Sequence, residues 1–220
     1  MGLGTMILQL VTPLLEFLAP IVPGEVFPYF FTMELFQRAL LAAVIVSIVA
    51  GILGSFLLIR NLALIGDGIA HVSFGGVAVA MVLGATSPLH WALLFSVVAA
   101  ILIHELQTRE IVTGDTAIAI FLTGMLAFGL VVLRVFGGGI TSDIEGYLFG
   151  SLLLTDERSL DMIAMISVGS LFLLMMLYSG LLASTIDPLA ARVQGIPVSQ
   201  IGRIFSLITA AVVVSMVQVI

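Results

Sequence analysis

Charged residues are rare along this chain, and the intervals between them suggest its architecture. Residues 39–59, between Arg38 and Arg60, carry no charge at all. About 20 apolar residues are enough for a helix to cross the hydrocarbon core of a bilayer, so this interval predicts a membrane span. A second predicted span covers residues 62–84, where everything is apolar or small except Asp67 and His71. Further spans are expected over 89–104, between Asp115 and Arg134, between Asp161 and Asp187, and from Arg203 onward. That makes about six. Residues 1–35 fit less well, because 6–22 is apolar but carries Glu16, with Pro13, Pro20 and Pro23 within or beside it. An interfacial helix or a short re-entrant piece is expected there in preference to a full span. The chain ends inside an apolar stretch, 212–220, so a C-terminally incomplete bundle is expected.

Composition agrees. The 220 residues are 61% hydrophobic and 9% charged, against roughly 25% charged in an ordinary soluble domain. There are too few charges to clothe a soluble core, and a bilayer removes the need for them. The fold class is therefore all-α and integral to a membrane, a polytopic helical bundle. The net charge is −6 and there is no lysine, which excludes nucleic acid as a partner and leaves the lipid bilayer as the expected surroundings. With no cysteine, disulfides, iron–sulfur clusters and thiolate metal ligands are excluded. Arg60, Arg109, Arg192 and Arg203 fall on one side of six alternating spans, and Arg38, Arg134 and Arg158 on the other. The excess of four over three makes the first side cytoplasmic.

Three features could carry chemistry. Asp67 and His71 are four apart and so share one helix face. A carboxylate and an imidazole together suit Zn²⁺, Mn²⁺ or Fe²⁺. A centred Asp costs about 2.5–3.5 kcal/mol to insert, so the pair should face protein or water. The bland alternative puts Asp67 at the membrane surface and satisfies His71 on a neighbouring helix. Gly66, Gly68, Ala70, Ser73, Gly75, Gly76, Ala78 and Ala80 surround the pair and permit close helix approach. The second feature is Asp187–Pro197. Asp187 reads as an N-cap with Pro188 in the first helical position, Gly195 just past the helix, and Pro197 as a stop. This short helix could be a connector or could insert into a cytoplasmic partner. The third is Asp115, which is expected to cap the fourth span, with a structural or gating role as the alternative.

Other patterns are set aside. His104-Glu105 opens a zinc-protease motif, but Thr108 occupies the second His position. Gly137-Gly138-Gly139 has no Gly-Lys-Ser/Thr after it, and no P-loop occurs anywhere, so the chain does not bind ATP by that route. Met162 and Met165 read as packing residues, and His90-Trp91 as an interface anchor.

Several stretches resemble the membrane subunit of zinc/manganese/iron ABC importers, the ABC-3 metal permeases. They are 36–42 (FQRALLA), 60–76 (RNLALIGDGIAHVSFGG), Asp115-Thr116-Ala117-Ile118, Leu148-Phe149-Gly150-Ser151 and 187–197 (DPLAARVQGIP). Together they make residues 36–220 a permease domain. The resemblance implies a type II importer-like homodimer in the cytoplasmic membrane of a prokaryote. It also implies two ATP-binding subunits, an extracytoplasmic metal-binding protein, and Zn²⁺, Mn²⁺ or Fe²⁺ as transported ion. The chain would itself be no enzyme and hold no resident cofactor, since ATP is hydrolysed in the partner. Asp67 and His71 would line the ion path. Asp187, Pro188, Leu189, Ala190, Ala191, Arg192 and Gly195 would form the helix that docks on the ATPase. Ala119 and Gly75 depart from the family pattern. A secondary transporter using Asp67 and His71 as a proton relay is the alternative from a different class.

Overall fold

The computed structural model describes residues 2–85, 88–137 and 156–217. In chain order its helices are α1 (Leu3–Leu18), extended by a 3-10 turn at Ala19–Ile21, α2 (Tyr29–Thr32), α3 (Glu34–Ile59), α4 (Ile65–Val82) and α5 (Pro88–Thr108). They continue with α6 (Gly114–Phe136), α7 (Glu157–Ile186), α8 (Pro188–Val193) and α9 (Val198–Val217). No strand occurs among the described residues. Seven of the described helices are long and apolar enough to cross a membrane. Six match the expected spans, and α1 with its 3-10 extension is the seventh by length and composition. The matching stretch Leu148–Ser151, and Gly138 and Gly139, lie outside the described residues.

The outward surface is apolar, as a bilayer requires. Leu40, Val44, Ile48 and Ile52 recur every fourth residue on α3 and are all exposed. Met165 is exposed too, like Met175 and Met176 further along α7, so these thioethers form lipid-facing surface, whereas the sequence predicts Met165 to pack. The interior is built around α4 and α9, which bury 61% and 56% of their most apolar 18 residues against 22–33% in the other five. Val49, Leu53 and Phe56 of α3, Ile65 and Ile69 of α4, Ile103 of α5, Ile118 of α6 and Phe205 of α9 meet in one core.

The small side chains of α4 explain its central place. A Cβ on Gly76 would lie 2.6 Å from the Trp91 carbonyl oxygen of α5, and one on Gly68 would lie 2.7 Å from Cγ2 of Ile118 on α6. At Gly75 the α6 backbone oxygen of Met125 would be 3.2 Å away. Two neighbours thus touch α4 through backbone or near-backbone atoms, the contact that small residues provide between membrane helices. Gly66 has nothing within 4 Å of the equivalent position, so that glycine serves no such contact.

Four joints share one geometry. Helices α3, α4, α5 and α8 each end on a residue with positive φ: Asn61 (55°), Gly84 (63°), Glu110 (56°) and Gly195 (81°). Behind each, the next N–H reaches back to the carbonyl five residues earlier: Leu62 to Leu57 (2.8 Å), Ala85 to Ala80 (2.9 Å), Ile111 to Leu106 (3.1 Å) and Ile196 to Ala191 (3.0 Å). This is the Schellman closure, which satisfies carbonyls left open at a helix end.

Two expected boundaries shift. Helix α9 begins at Val198, just after Pro197, so Arg203 lies inside it and not ahead of it. Arg203 reaches Glu105 of α5 at 3.7 Å and stays half exposed, as a long cation near a membrane helix end can. Asp115 does not cap α6. The cap position belongs to Thr113, whose hydroxyl lies 2.7 Å from that of Thr116, while Asp115 is exposed in the first turn.

Replacing Gly76 by Ala forces its methyl into the Trp91 carbonyl and should cost about 1–3 kcal/mol, the usual range for overpacking. Gly51→Ala, with nothing within 4 Å, should be neutral or slightly stabilising. Thermal unfolding of both variants in detergent checks the contrast, and equal melting temperatures would contradict the close α4–α5 contact.

Candidate metal path and docking helix

Asp67 sits in the first turn of α4, where the helix dipole favours a carboxylate. His71 follows one turn later. Its Nε2 is 3.5 Å from Asp67 Oδ1, with the two side chains 34% and 62% exposed respectively. The sequence expectation that they share a face therefore holds geometrically. Both border a cleft of ≈ 140 Å³ that is also lined by Phe74 and Val77 of α4, Leu89 and Ala92 of α5, and Val214 and Val217 of α9. Ser73 borders it as well, but its hydroxyl donates to the Ala70 carbonyl at 2.7 Å.

Two donors each about 2.1 Å from one tetrahedral ion stand about 3.4 Å apart. The Asp67–His71 pair already has nearly this separation, so sharing an ion requires little movement. Among the described residues no three His, Cys, Asp or Glu are grouped closely enough to hold a metal ion. The pair offers a partial shell, suited to transient contact and not to storage.

At the other candidate, Asp187 accepts hydrogen bonds from Leu189 N at 3.0 Å and Ala190 N at 2.9 Å. Pro188 occupies the first helical position, and α8 ends at Gln194 and Gly195 as the sequence indicates. Ala191 is buried, whereas Leu189 and Val193, one turn apart, are 73% and 89% exposed. This six-residue helix therefore rests on Ala191 and presents an apolar pair outward.

Sequence reasoning treated Arg60 only as a marker of topology, and the structure gives it more to do. Its Nε donates to Thr185 Oγ1 at 2.9 Å and its Nη2 to Ser184 Oγ at 2.8 Å. The guanidinium carbon lies 4.8 Å above the Phe205 ring. Arg60 thereby joins the end of α3 to the last turn of α7 and to α9, immediately before the Asp187 joint. Burial pulls its pKa below the usual arginine value, though a guanidinium keeps its charge. Nothing local in the sequence reports these contacts, since all three partners are more than a hundred residues away. At the opposite end Arg38 pairs with Glu34 and, at 2.8 Å, with Glu157.

The sequence profile described as the ABC 3 transport family matches residues 32–220. The chain belongs to that family. The manganese transport system membrane protein MntC of Halalkalibacterium halodurans is 34% identical over 183 residues, covering 83% of this chain and 62% of the relative. The manganese import system permease protein ScaB of Streptococcus parasanguinis is 33% identical, covering 74% of this chain and 57% of its own. The chain thus spans about three-fifths of the length of these curated relatives. Among solved structures, PsaBC from Streptococcus pneumoniae in complex with Fab matches with a TM-score of 0.68 and 31% identity, over 84% of this chain and 66% of the other. An inward-facing metal-chelate type ABC transporter matches with a TM-score of 0.74 over 96% and 74%; at 13% identity it shares the fold alone. This ABC-3 chain is a multi-pass protein of a prokaryotic cytoplasmic membrane.

Arg60→Lys keeps the charge but loses the fork to Ser184 and Thr185 and the flat stack on Phe205. A loss of about 1.5–3 kcal/mol is expected, the range for hydrogen bonds to charged groups. It would be read as a lower melting temperature of the purified protein, and an unchanged value would show that the three-helix contact carries no stability.

Proposed function

We propose that this chain is the membrane subunit of an ATP-driven importer of divalent transition metal ions. The observation that supports this best is the Asp67–His71 pair, placed on one face of α4 beside a cleft between three helices. A hard carboxylate and a borderline imidazole accommodate Mn²⁺, Zn²⁺ and Fe²⁺. Manganese is the first of these to test, because the relatives MntC and ScaB are named for it. In this reading Asp67 and His71 replace part of the ion's hydration shell during passage, and water or a second copy of the chain supplies further donors. Residues 36–220 form the permease domain. Asp115 has a structural or gating role, its charge favouring the N-terminal end of α6.

The chain is a transport component. A cytoplasmic ATP-binding subunit supplies the energy, and an extracytoplasmic metal-binding protein delivers the ion to a homodimer. Helix α8 is the docking element for the ATP-binding subunit. Its Leu189 and Val193 are exposed among the described residues, and Asp187, Pro188, Ala190, Ala191, Arg192 and Gly195 set its shape and seat. The Arg60 end of the bundle is then cytoplasmic, in agreement with the arginine excess there.

Asp67→Asn and His71→Ala should each reduce energy-dependent ⁵⁴Mn²⁺ uptake at least tenfold in the assembled transporter, with copurification of the ATP-binding subunit unchanged. Normal uptake by both variants would remove the pair from the path. Uptake that resists vanadate but collapses with the proton gradient would favour a proton relay instead.

A bulky residue at Ala191, the buried seat of α8, should have the reverse effect. Ala191→Trp is expected to cut copurification of the ATP-binding subunit several-fold. Undiminished recovery would argue against α8 as the docking element.

A further inference from the structure

Helix α1 is long enough to cross a bilayer, but its contacts place both halves of it at one height in the bundle. Near its start, a Cβ on Gly4 would lie 2.6 Å from the Leu160 carbonyl oxygen, and Thr5 N donates to Asp161 Oδ1 at 2.7 Å. Those partners are in the first turns of α7. Two turns on, Thr12 Oγ1 lies 3.2 Å from Gln37 Oε1 in the first turn of α3. The Arg38–Glu157 ion pair sets the first turns of α3 and α7 level with each other. Between Gly4 and Thr12 the helix advances about 12 Å along its own axis, yet it gains almost no depth. It lies across α3 and α7, with Leu8 buried among Leu41, Ala42, Leu160 and Ile163.

The sequence of α1 suits that position. Gly4, Leu8, Leu15 and Ala19 form the buried face. Thr5, Gln9, Thr12 and Glu16, spaced by four, three and four, form a polar stripe beside it. Met6, Leu10, Leu14 and Phe17 form a third stripe that is 61–82% exposed. A helix crossing the bilayer here would carry the Gln9–Glu16 stripe into hydrocarbon, whereas a helix in the interface keeps it in water.

We propose that α1 is a membrane-surface helix, docked across the ends of α3 and α7 on the Arg38 side of the bundle. Met6, Leu10, Leu14 and Phe17 sit at the boundary of the acyl chains, and Gln9 and Glu16 among hydrated headgroups. This goes beyond the transport reading and does not depend on it.

The absence of cysteine makes a direct test clean. Single cysteines at Gln9, Glu16, Leu10, Leu14 and Phe17, with Ile48 of α3 as a deep reference, are spin-labelled in the full chain. The protein is reconstituted in phosphatidylcholine–phosphatidylglycerol vesicles. Collision with dissolved oxygen and with a water-soluble nickel chelate gives the depth of each label. The expected result is strong nickel exposure at both Gln9 and Glu16, equal within about twofold. Leu10, Leu14 and Phe17 should be oxygen-rich at one shared depth, shallower than Ile48. Two outcomes would overturn the proposal. In one, residues 9 and 10 are both as deep as Ile48 and depth falls toward either end, which describes a spanning helix. In the other, Leu10 and Phe17 are as nickel-exposed as Gln9, which describes a helix lifted away from lipid.

Discussion

Between two helices in a bilayer there is little hydrophobic force, because lipid tails receive a leucine as readily as a protein interior does. What holds them is the closeness of atomic contact, and α4 achieves it by having almost no side chain where α5 and α6 approach. The Trp91 carbonyl occupies the space a methyl on Gly76 would need, and Ile118 does the same at Gly68. These contacts fix the rotation of α4 about its axis. Asp67 and His71 lie on the face left over, so their direction toward the cleft follows from where the glycines are. The small residues and the polar pair are two aspects of a single helix surface.

Much of this was legible in the sequence because its signals are local. Arg60 marks the end of α3 to the residue, although the helix starts at Glu34, four residues ahead of Arg38, and Asp187, Pro188 and Gly195 mark out α8 through cap, first turn and left-handed stop. The four-residue spacing of Asp67 and His71 gave their shared face. Other features lacked a local signal. Asn61 and Glu110 adopt the conformation that Gly84 and Gly195 make easy, but neither residue type announces a helix end as glycine does. Asp115 looked like a cap because it is acidic and near a helix start, while Thr113 two residues earlier holds the extended backbone a cap requires. The partners of Arg60 and of Gly4 come from distant stretches of chain, and no periodicity reports such meetings.

The two ends of the bundle are fastened differently. At the Arg38 end the ties are ionic: Arg38, itself only 19% exposed, pairs with the exposed carboxylates of Glu34 and Glu157, and water competes at the acidic partners. At the Arg60 end the guanidinium is largely withdrawn from water and bonded to two hydroxyls and a ring face. Breaking such a contact leaves a partly buried charge without its hydrogen bonds.

That contrast bears on how motion can pass through the protein. Ser184 and Thr185 stand three and two residues before Asp187, on the last turn of the helix that leads into α8. A push on α8 therefore meets no slack loop. It arrives at hydroxyls already tethered to the end of α3 and to Phe205 of α9. Neither hydroxyl can move away without breaking its hydrogen bond to a partly buried cation. The arginine works like a rivet through three helix ends, set at the joint from which α8 departs.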